Sequence, residues 1–341
     1  MFKISRIFRL FLLCFLSAYF TPIHATEAPK RGEVQGGVLH PAPAWFKDSF
    51  LDIADDIEEA TDADKHLMLF FDLTGCPYCD QMLTEIFESE PYASKIQQHF
   101  DVISINIKGD RDIAYNENLS VTEKELSEML NVHSTPGIIF LNSDNKPVVR
   151  VDGYRAPARF DRVLDFVQTK AYKTQELSAY LDDNLTKGIY SLRDNPMFKN
   201  ITDLSNVEGP LVVIFEDSTC NDCNKFHETL LSNAEVQKEL DAFTVVRLDT
   251  DSELSIVDVE GNQTTPKALA LQLEMTYRPG VVMYADGKAL RRADSLLFKH
   301  HFKERLRWIG TGAYKTMAYH VYSERRTEEL LAAGNNIDLA Q

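Results

Sequence analysis

Positive charge is scarce in this sequence: 36 Lys and Arg stand against 52 Asp and Glu, a net charge of -16. A chain with that balance and no basic run repels polyanions, which argues against a general nucleic-acid or anionic-membrane binder. Long apolar stretches are missing after the first 20 residues, so no later segment is suited to span a bilayer. Five cysteines in 341 residues are too few for a disulfide-stapled scaffold. No Gly-rich phosphate loop, zinc-protease helix signature or serine elbow occurs, and no cofactor is implied.

What is present begins at the amino terminus. Lys3, Arg6 and Arg9 precede the apolar run Leu10 to Phe20, which leads into Ile23-His24-Ala25. That layout reads as a signal peptide over 1–25, with export to an oxidising compartment and no stable membrane insertion after cleavage. Cys14 leaves with it. The remaining cysteines form two C-x-x-C pairs, Cys76/Cys79 and Cys220/Cys223. Such pairs are either redox chemistry or metal ligands.

The two pairs belong to a repeat. Leu67 to Cys79 matches Leu211 to Cys223, Ser134-Thr135-Pro136-Gly137 matches Tyr277-Arg278-Pro279-Gly280, and Lys170-Ala171-Tyr172-Lys173 matches Gly312-Ala313-Tyr314-Lys315. The offsets are 144, 143 and 142 residues. In the first copy, the pattern predicts a strand at Leu67–Phe71, a helix at Cys76–Phe87, a strand at Asp101–Ile107 and a helix at Thr122–Leu130. Strands at Gly137–Leu141 and Val148–Val151 and a helix at Arg159–Thr169 complete it. The second copy follows the same order from Leu211 to Ile309. Two α/β units result, each a central sheet with helices on both faces. Around them lie a Gly- and Pro-rich flexible arm (26–44), a partly helical connection (174–208) and a helical tail (319–341). The repeats themselves occupy 45–173 and 209–318.

Two cysteines three apart at the first turn of a helix can close a disulfide with little backbone movement. The helix end stabilises the thiolate of the leading sulfur. Cys76 and Cys220 are therefore the attacking sulfurs, and Cys79 and Cys223 resolve the mixed disulfide. Pro77 fits the first helical turn, where its missing N–H costs nothing. A tetrahedral zinc site built from all four sulfurs would need both active ends docked face to face, since each pair has its own sheet.

Both halves resemble thioredoxin-fold domains, on the strength of Cys76-Pro77-Tyr78-Cys79, Cys220-Asn221-Asp222-Cys223, and Pro136 and Pro279, which follow the leading cysteines by 60 and 59 residues. The whole resembles a tandem of periplasmic thioredoxins of the SoxW or DsbD C-terminal-domain type. The resemblance implies two thioredoxin-like folds in tandem with mixed sheets, and cis prolines facing the dithiols. It further implies substrate contacts at Pro77, Tyr78, Thr135, Pro136, Arg278 and Pro279. The implied activity is a soluble periplasmic thiol–disulfide oxidoreductase that reduces protein or small-molecule disulfides. Its electrons would come from a membrane donor of the DsbD or CcdA type. An isomerase or oxidase, and an adaptor whose second disulfide is structural, are the competing readings.

This sequence departs from the family pattern. Cytosolic thioredoxin carries a buried acid six residues before its first cysteine, where Phe70 and Ile214 stand here. Asp72 and Glu216, four residues before, are candidate proton relays to Cys79 and Cys223. Gly75 and Thr219 replace the usual tryptophan. At the second site Asp222 disfavours a thiolate while Arg278 favours one. His133, His300 and His301 are expected to be packing or surface residues, and Tyr172 and Tyr314 to be repeated core contacts.

Overall fold

The computed structural model describes residues 30–132 and 134–340; the signal-peptide reading of 1–25 and His133 lie outside the described residues. The first sheet contains β1 (His66–Asp72), β2 (Phe100–Asn106), β3 (Gly137–Leu141) and β4 (Pro147–Asp152), in the order β2-β1-β3-β4. The second contains β5 (Leu211–Glu216), β6 (Thr244–Asp249), β7 (Gly280–Ala285) and β8 (Lys288–Ala293), in the equivalent order β6-β5-β7-β8. In each sheet the first two strands are parallel and the other neighbours antiparallel. The repeat in the sequence is thus a repeat in topology, two mixed sheets with helices on both faces.

Strands covered on both faces need apolar side chains in both directions. Met68 and Phe70 enter the cluster that holds the first cysteine pair, and Leu67, Leu69 and Phe71 enter the opposite one. Val212 and Ile214 divide in the same way from Leu211, Val213 and Phe215. Burying each such side chain stabilises the fold by about 1.5–3 kcal/mol. Both strands that follow the repeated cis-proline turn start with a glycine in close contact with its surroundings. A Cβ on Gly137 would lie 3.0 Å from Val132 Cγ1, and one on Gly280 would lie 2.4 Å from Met275 Cε.

Helices that the apolar pattern did not reveal frame each sheet. Ile53–Asp62 is capped by Asp52, whose side chain accepts from the N–H groups of Ala54 and Asp55. Tyr92–His99 and Ala234–Leu240 are short, and their buried faces consist of two residues each, too little to register as a period. The expected helix at Thr122–Leu130 is present as Glu123–Met129, with a reciprocal capping box between Thr122 and Glu125.

The segment read as a flexible arm has a docked course in the structure. Val34–Gln35 pairs in parallel with Ile337–Asp338, and His40 bonds Asp80 and Glu88 at 2.7 and 3.2 Å. Glycine content suggested mobility, but the pairing partners lie some 300 residues away and are invisible to local composition. The connection holds a helix at Leu177–Asn184, packed on the first core through Leu177, Tyr180 and Leu181. Tyr190 and Leu192 beyond it pack on the second cysteine pair. The tail forms a helix at Tyr319–Ala332, whose Tyr319 and Tyr322 pack on the second core.

The two repeats meet through buried cations. Arg155 and Arg159, at the start of the closing helix of the first repeat, are 2% and 4% exposed. Arg155 bonds Thr276 Oγ1 at 3.0 Å and Asp294 at 3.3 Å, and lies over the Tyr277 ring. Arg159 donates to the Thr276 carbonyl at 2.8 Å and to Thr219 Oγ1 at 3.2 Å. Asp294 also accepts the backbone N–H groups of Thr276 and Tyr277 at 2.9 Å. Removing one partner of such a pair leaves a charge buried without compensation. Asp294→Ala is therefore expected to destabilise the protein by about 3–5 kcal/mol, seen as a lower urea midpoint, whereas an unchanged midpoint would mean that the interface contributes nothing to stability.

Candidate active site

Each cysteine pair lies between the end of a central strand and the helix that follows, and each is closed as a disulfide, with Cα–Cα separations of 5.3 and 5.6 Å. The surroundings differ. Cys76 is the N-cap of the helix Pro77–Met82, with Pro77 in the first turn, and its Sγ accepts the Cys79 N–H at 3.1 Å. Thr135 Oγ1 donates to the same sulfur at 3.3 Å. Cys76 is 7% exposed and Cys79 4%. The Thr135–Pro136 peptide bond is cis, as is Arg278–Pro279.

In the second repeat the helix begins at Cys223, the start the sequence pattern gives for Cys223–Leu230, so Cys220 does not cap it as Cys76 caps its own helix. Asn221-Asp222 lacks the fixed φ of proline, and the Asp222 carboxylate makes no capping bond. It accepts the Tyr277 hydroxyl instead. Burial raises its pKa, against the lowering effect of that hydrogen bond. The helix-end support for a thiolate is therefore direct at Cys76 and weaker at Cys220. Cys220 and Cys223 are also more deeply buried, at 2% and 0% exposed.

Arg278 is not presented to solvent. Its Nε donates to Asp217 at 2.6 Å and its Nη1 to the Tyr277 carbonyl at 3.0 Å, leaving the side chain 7% exposed. Burial acts to raise the Asp217 pKa, but Arg278 and the hydroxyls of Thr219 and Thr250 overcome it and hold the carboxylate down to about 2. The substrate contact expected at Arg278 is thus replaced by an internal ion pair beside the second dithiol. Tyr78 is enclosed at the boundary between the repeats, against Phe298 and His301. His300 and His301 are accordingly packing residues with depressed pKa values. Burial, then His300 and Arg305, takes His301 to about 3.

The candidate relay acids share a strand face with the buried position of the family pattern. Side chains two apart on a strand point the same way, so Asp72 lies on the Phe70 face and Glu216 on the Ile214 face, one step nearer the strand end. Asp72 is half-buried, accepts from Ser104 Oγ at 2.7 Å, and has its pKa raised by burial. Glu216 is fully buried. His227 Nε2 lies 2.7 Å from Glu216 Oε1, and the Tyr190 hydroxyl lies 3.2 Å from Glu216 Oε2 and 3.3 Å from His227. Burial, then the Glu216 charge, pushes Tyr190 up to about 12, so it remains a neutral phenol. Sequence reasoning missed His227 and Tyr190. His227 sits one helical turn after Cys223, a spacing that was available to find it; Tyr190 lies in the connection and carries no such signal. Among the described residues, no three His, Cys, Asp or Glu side chains converge as a metal-ligand set.

A strand-end disulfide beside a cis proline, twice in one chain, defines a protein of dithiol–disulfide exchange. The chain belongs to the thioredoxin-like family: the model of the thioredoxin-like domain matches residues 53–168 and 198–308. It is a thiol–disulfide oxidoreductase with two thioredoxin-like units. No curated protein matches the chain. Among solved structures it is similar to a thioredoxin-fold protein from Helicobacter pylori (24% identity over 35% of this chain and 84% of that one, TM-score 0.32). A thioredoxin from Thermus thermophilus matches at 24% identity over 35% and 85%, with a TM-score of 0.29. The oxidised DsbD C-terminal domain of Neisseria meningitidis matches at 14% over 34% and 88%, with a TM-score of 0.25.

The Asp217–Arg278 pair gives a pH signature. A carboxylate held at about 2 in the folded chain, against about 3.9 when unfolded, contributes stability that is complete above the unfolded value. That stability is lost as pH falls toward the folded value. The stability difference between the wild type and Asp217→Asn is therefore expected to shrink between about pH 4 and 2. Urea unfolding across that window reads it, and a constant difference would show that the pair is not ionised as described.

Proposed function

We propose that the chain is a periplasmic disulfide reductase in which both dithiols transfer electrons. The observation that carries this reading is the Cys76 environment: a leading sulfur at a helix N-terminus, bonded by the Cys79 N–H and by Thr135 Oγ1 beside cis-Pro136. Those donors stabilise negative charge on sulfur. The Cys76 thiolate attacks a substrate disulfide, forming a new S–S bond and releasing one substrate thiolate. Cys79 then attacks Cys76 Sγ, expelling the second thiolate and leaving the Cys76–Cys79 disulfide. A dithiol donor of the membrane DsbD or CcdA class restores the reduced pair. Export rests on Lys3, Arg6, Arg9 and the apolar run behind them. Among the described residues, no helix is long and apolar enough to cross a membrane. The likeness to SoxW and DsbD C-terminal domains rests on the cysteine motifs and the proline spacing.

Resolution of the mixed disulfide requires a proton to leave the second cysteine. Asp72 takes it at the first site and Glu216, with His227 and Tyr190, at the second. Positioned bases contribute on the order of a hundredfold or more to such steps. Glu216→Gln is therefore expected to slow resolution at Cys220–Cys223 by on the order of a hundredfold and to flatten its pH profile, with the first site unchanged. Stopped-flow kinetics with site-resolved thiol trapping reads both; an unchanged profile would remove Glu216 from the relay.

The function itself is tested by serine substitution. Cys76→Ser and Cys220→Ser are each expected to abolish disulfide reduction at their own pair while leaving the fold intact by circular dichroism. A double variant with unchanged client binding and no redox defect relative to the wild type would sink the dithiol-reductase reading in favour of an adaptor.

A further inference from the structure

The first dithiol, with Cys76 7% and Cys79 4% exposed, is flanked by two different walls. The first is the second repeat. The ring of Tyr78, between the two cysteines, stacks on Phe298 with centroids 4.4 Å apart. Its hydroxyl accepts the Phe298 N–H at 2.8 Å and bonds His301 Nδ1 at 2.8 Å. A neutral imidazole is the acceptor this arrangement needs, in keeping with the depressed pKa of His301. Tyr277 and Leu296 of the second repeat also enter the apolar cluster that contains Cys76 and Cys79. The strip beside Tyr78, where an extended chain would lie across the dithiol, is thereby occupied from within the molecule.

The second wall is the amino-terminal segment. Gly37 abuts Gly75, since a Cβ on Gly37 would stand 3.3 Å from the Gly75 carbonyl oxygen. Three residues on, His40 is held by Asp80 and Glu88. Against the second wall lies a cavity of about 420 Å³ lined by Cys76 and Cys79 together with His40, Asp72, Asn106 and Arg111, all from the first repeat and the amino-terminal segment. That volume falls in the range of small-molecule sites, and charged and amide side chains of both signs suit a compact zwitterion.

We propose that the first dithiol reduces low-molecular-weight disulfides, molecules of about the size of cystine, and that the second repeat and the amino-terminal segment together exclude folded-protein disulfides from it. This rests on the oxidoreductase reading and names the substrate class of that site. The step balances within the pair: one substrate disulfide receives two electrons from the dithiol and leaves as two thiols, and the protein retains the Cys76–Cys79 disulfide. A dithiol reductant returns the electrons for the next turnover.

The test uses the full chain, fully reduced, in single turnover against cystine or insulin at equal disulfide concentration. Oxidation of the Cys76–Cys79 peptide is followed by alkylation and mass mapping. Cystine is expected to oxidise that pair at least about tenfold faster than insulin, and Phe298→Ala to raise the insulin rate by roughly tenfold while the cystine rate stays within about twofold. Tyr78→Phe removes only the hydroxyl and its two bonds, and is expected to move the insulin rate in the same direction by a smaller factor, so the outcome does not hang on the folding of the alanine variant. An insulin rate equal to the cystine rate in the wild type, or one unmoved in both variants, overturns the inference while leaving the oxidoreductase reading intact. Failure of both disulfides to oxidise the pair overturns both.

Discussion

Two guanidinium groups hold this molecule together. Arg155 and Arg159 leave water almost completely, and burial lowers both pKa values, taking Arg159 to about 10. Such groups survive burial only when their donors are used; Arg155 Nη1 is satisfied by carbonyls of its own repeat, Asp152 foremost, and the remaining acceptors belong to the second repeat: Asp294, Thr276 and Thr219. Thr219 immediately precedes Cys220, and Thr276 lies three residues before cis-Pro279. The interface thus ties the closing helix of one repeat to the redox loop of the other. Phe298 and His301 carry the reciprocal contact onto Tyr78. Neither dithiol is an independent site on an independent domain.

The two sites on either side of that interface differ in their surroundings. The first retains a proline-started helix and a sulfur with two hydrogen-bond donors. The second has a later helix start and a buried cluster of Glu216, His227 and Tyr190 behind it, flanked by the Asp217–Arg278 pair. Charge around the second pair is internal and compensated, whereas the first pair draws its support from backbone and hydroxyl groups. A potential reflects how each state of the pair is stabilised, so the proposal that both pairs work carries with it two unequal potentials.

Much of the fold was legible in the sequence because it depends on local signals. The strands Leu67–Phe71 and Gly137–Leu141 are apolar in both directions, and the structure extends the first by only one residue at each end and keeps the second unchanged. Thr122 and Glu125 announce their helix. The cysteine pairs and prolines stood out through repetition. What was hidden depends on distant partners. Arg155 looks like any polar residue before a helix, since its acceptors lie more than 120 residues away. Arg278, read beside a redox proline, looked like a substrate contact until Asp217 supplied its counter-charge. The arm composition pointed to mobility, and only the carboxy-terminal strand Ile337–Asp338 gives it a docked course.

The most direct measurement of the central claim, two working but unequal dithiols, is a redox titration of each pair in the same full-length chain, with thiols trapped and mapped peptide by peptide. Both pairs are expected to titrate, at separate midpoints, with Cys76–Cys79 near the reducing end at roughly -270 mV. A Cys220–Cys223 pair that stays oxidised across the whole range would contradict the claim and leave the second repeat a fold without chemistry. Midpoints at roughly -180 to -120 mV would instead reverse the direction of electron flow.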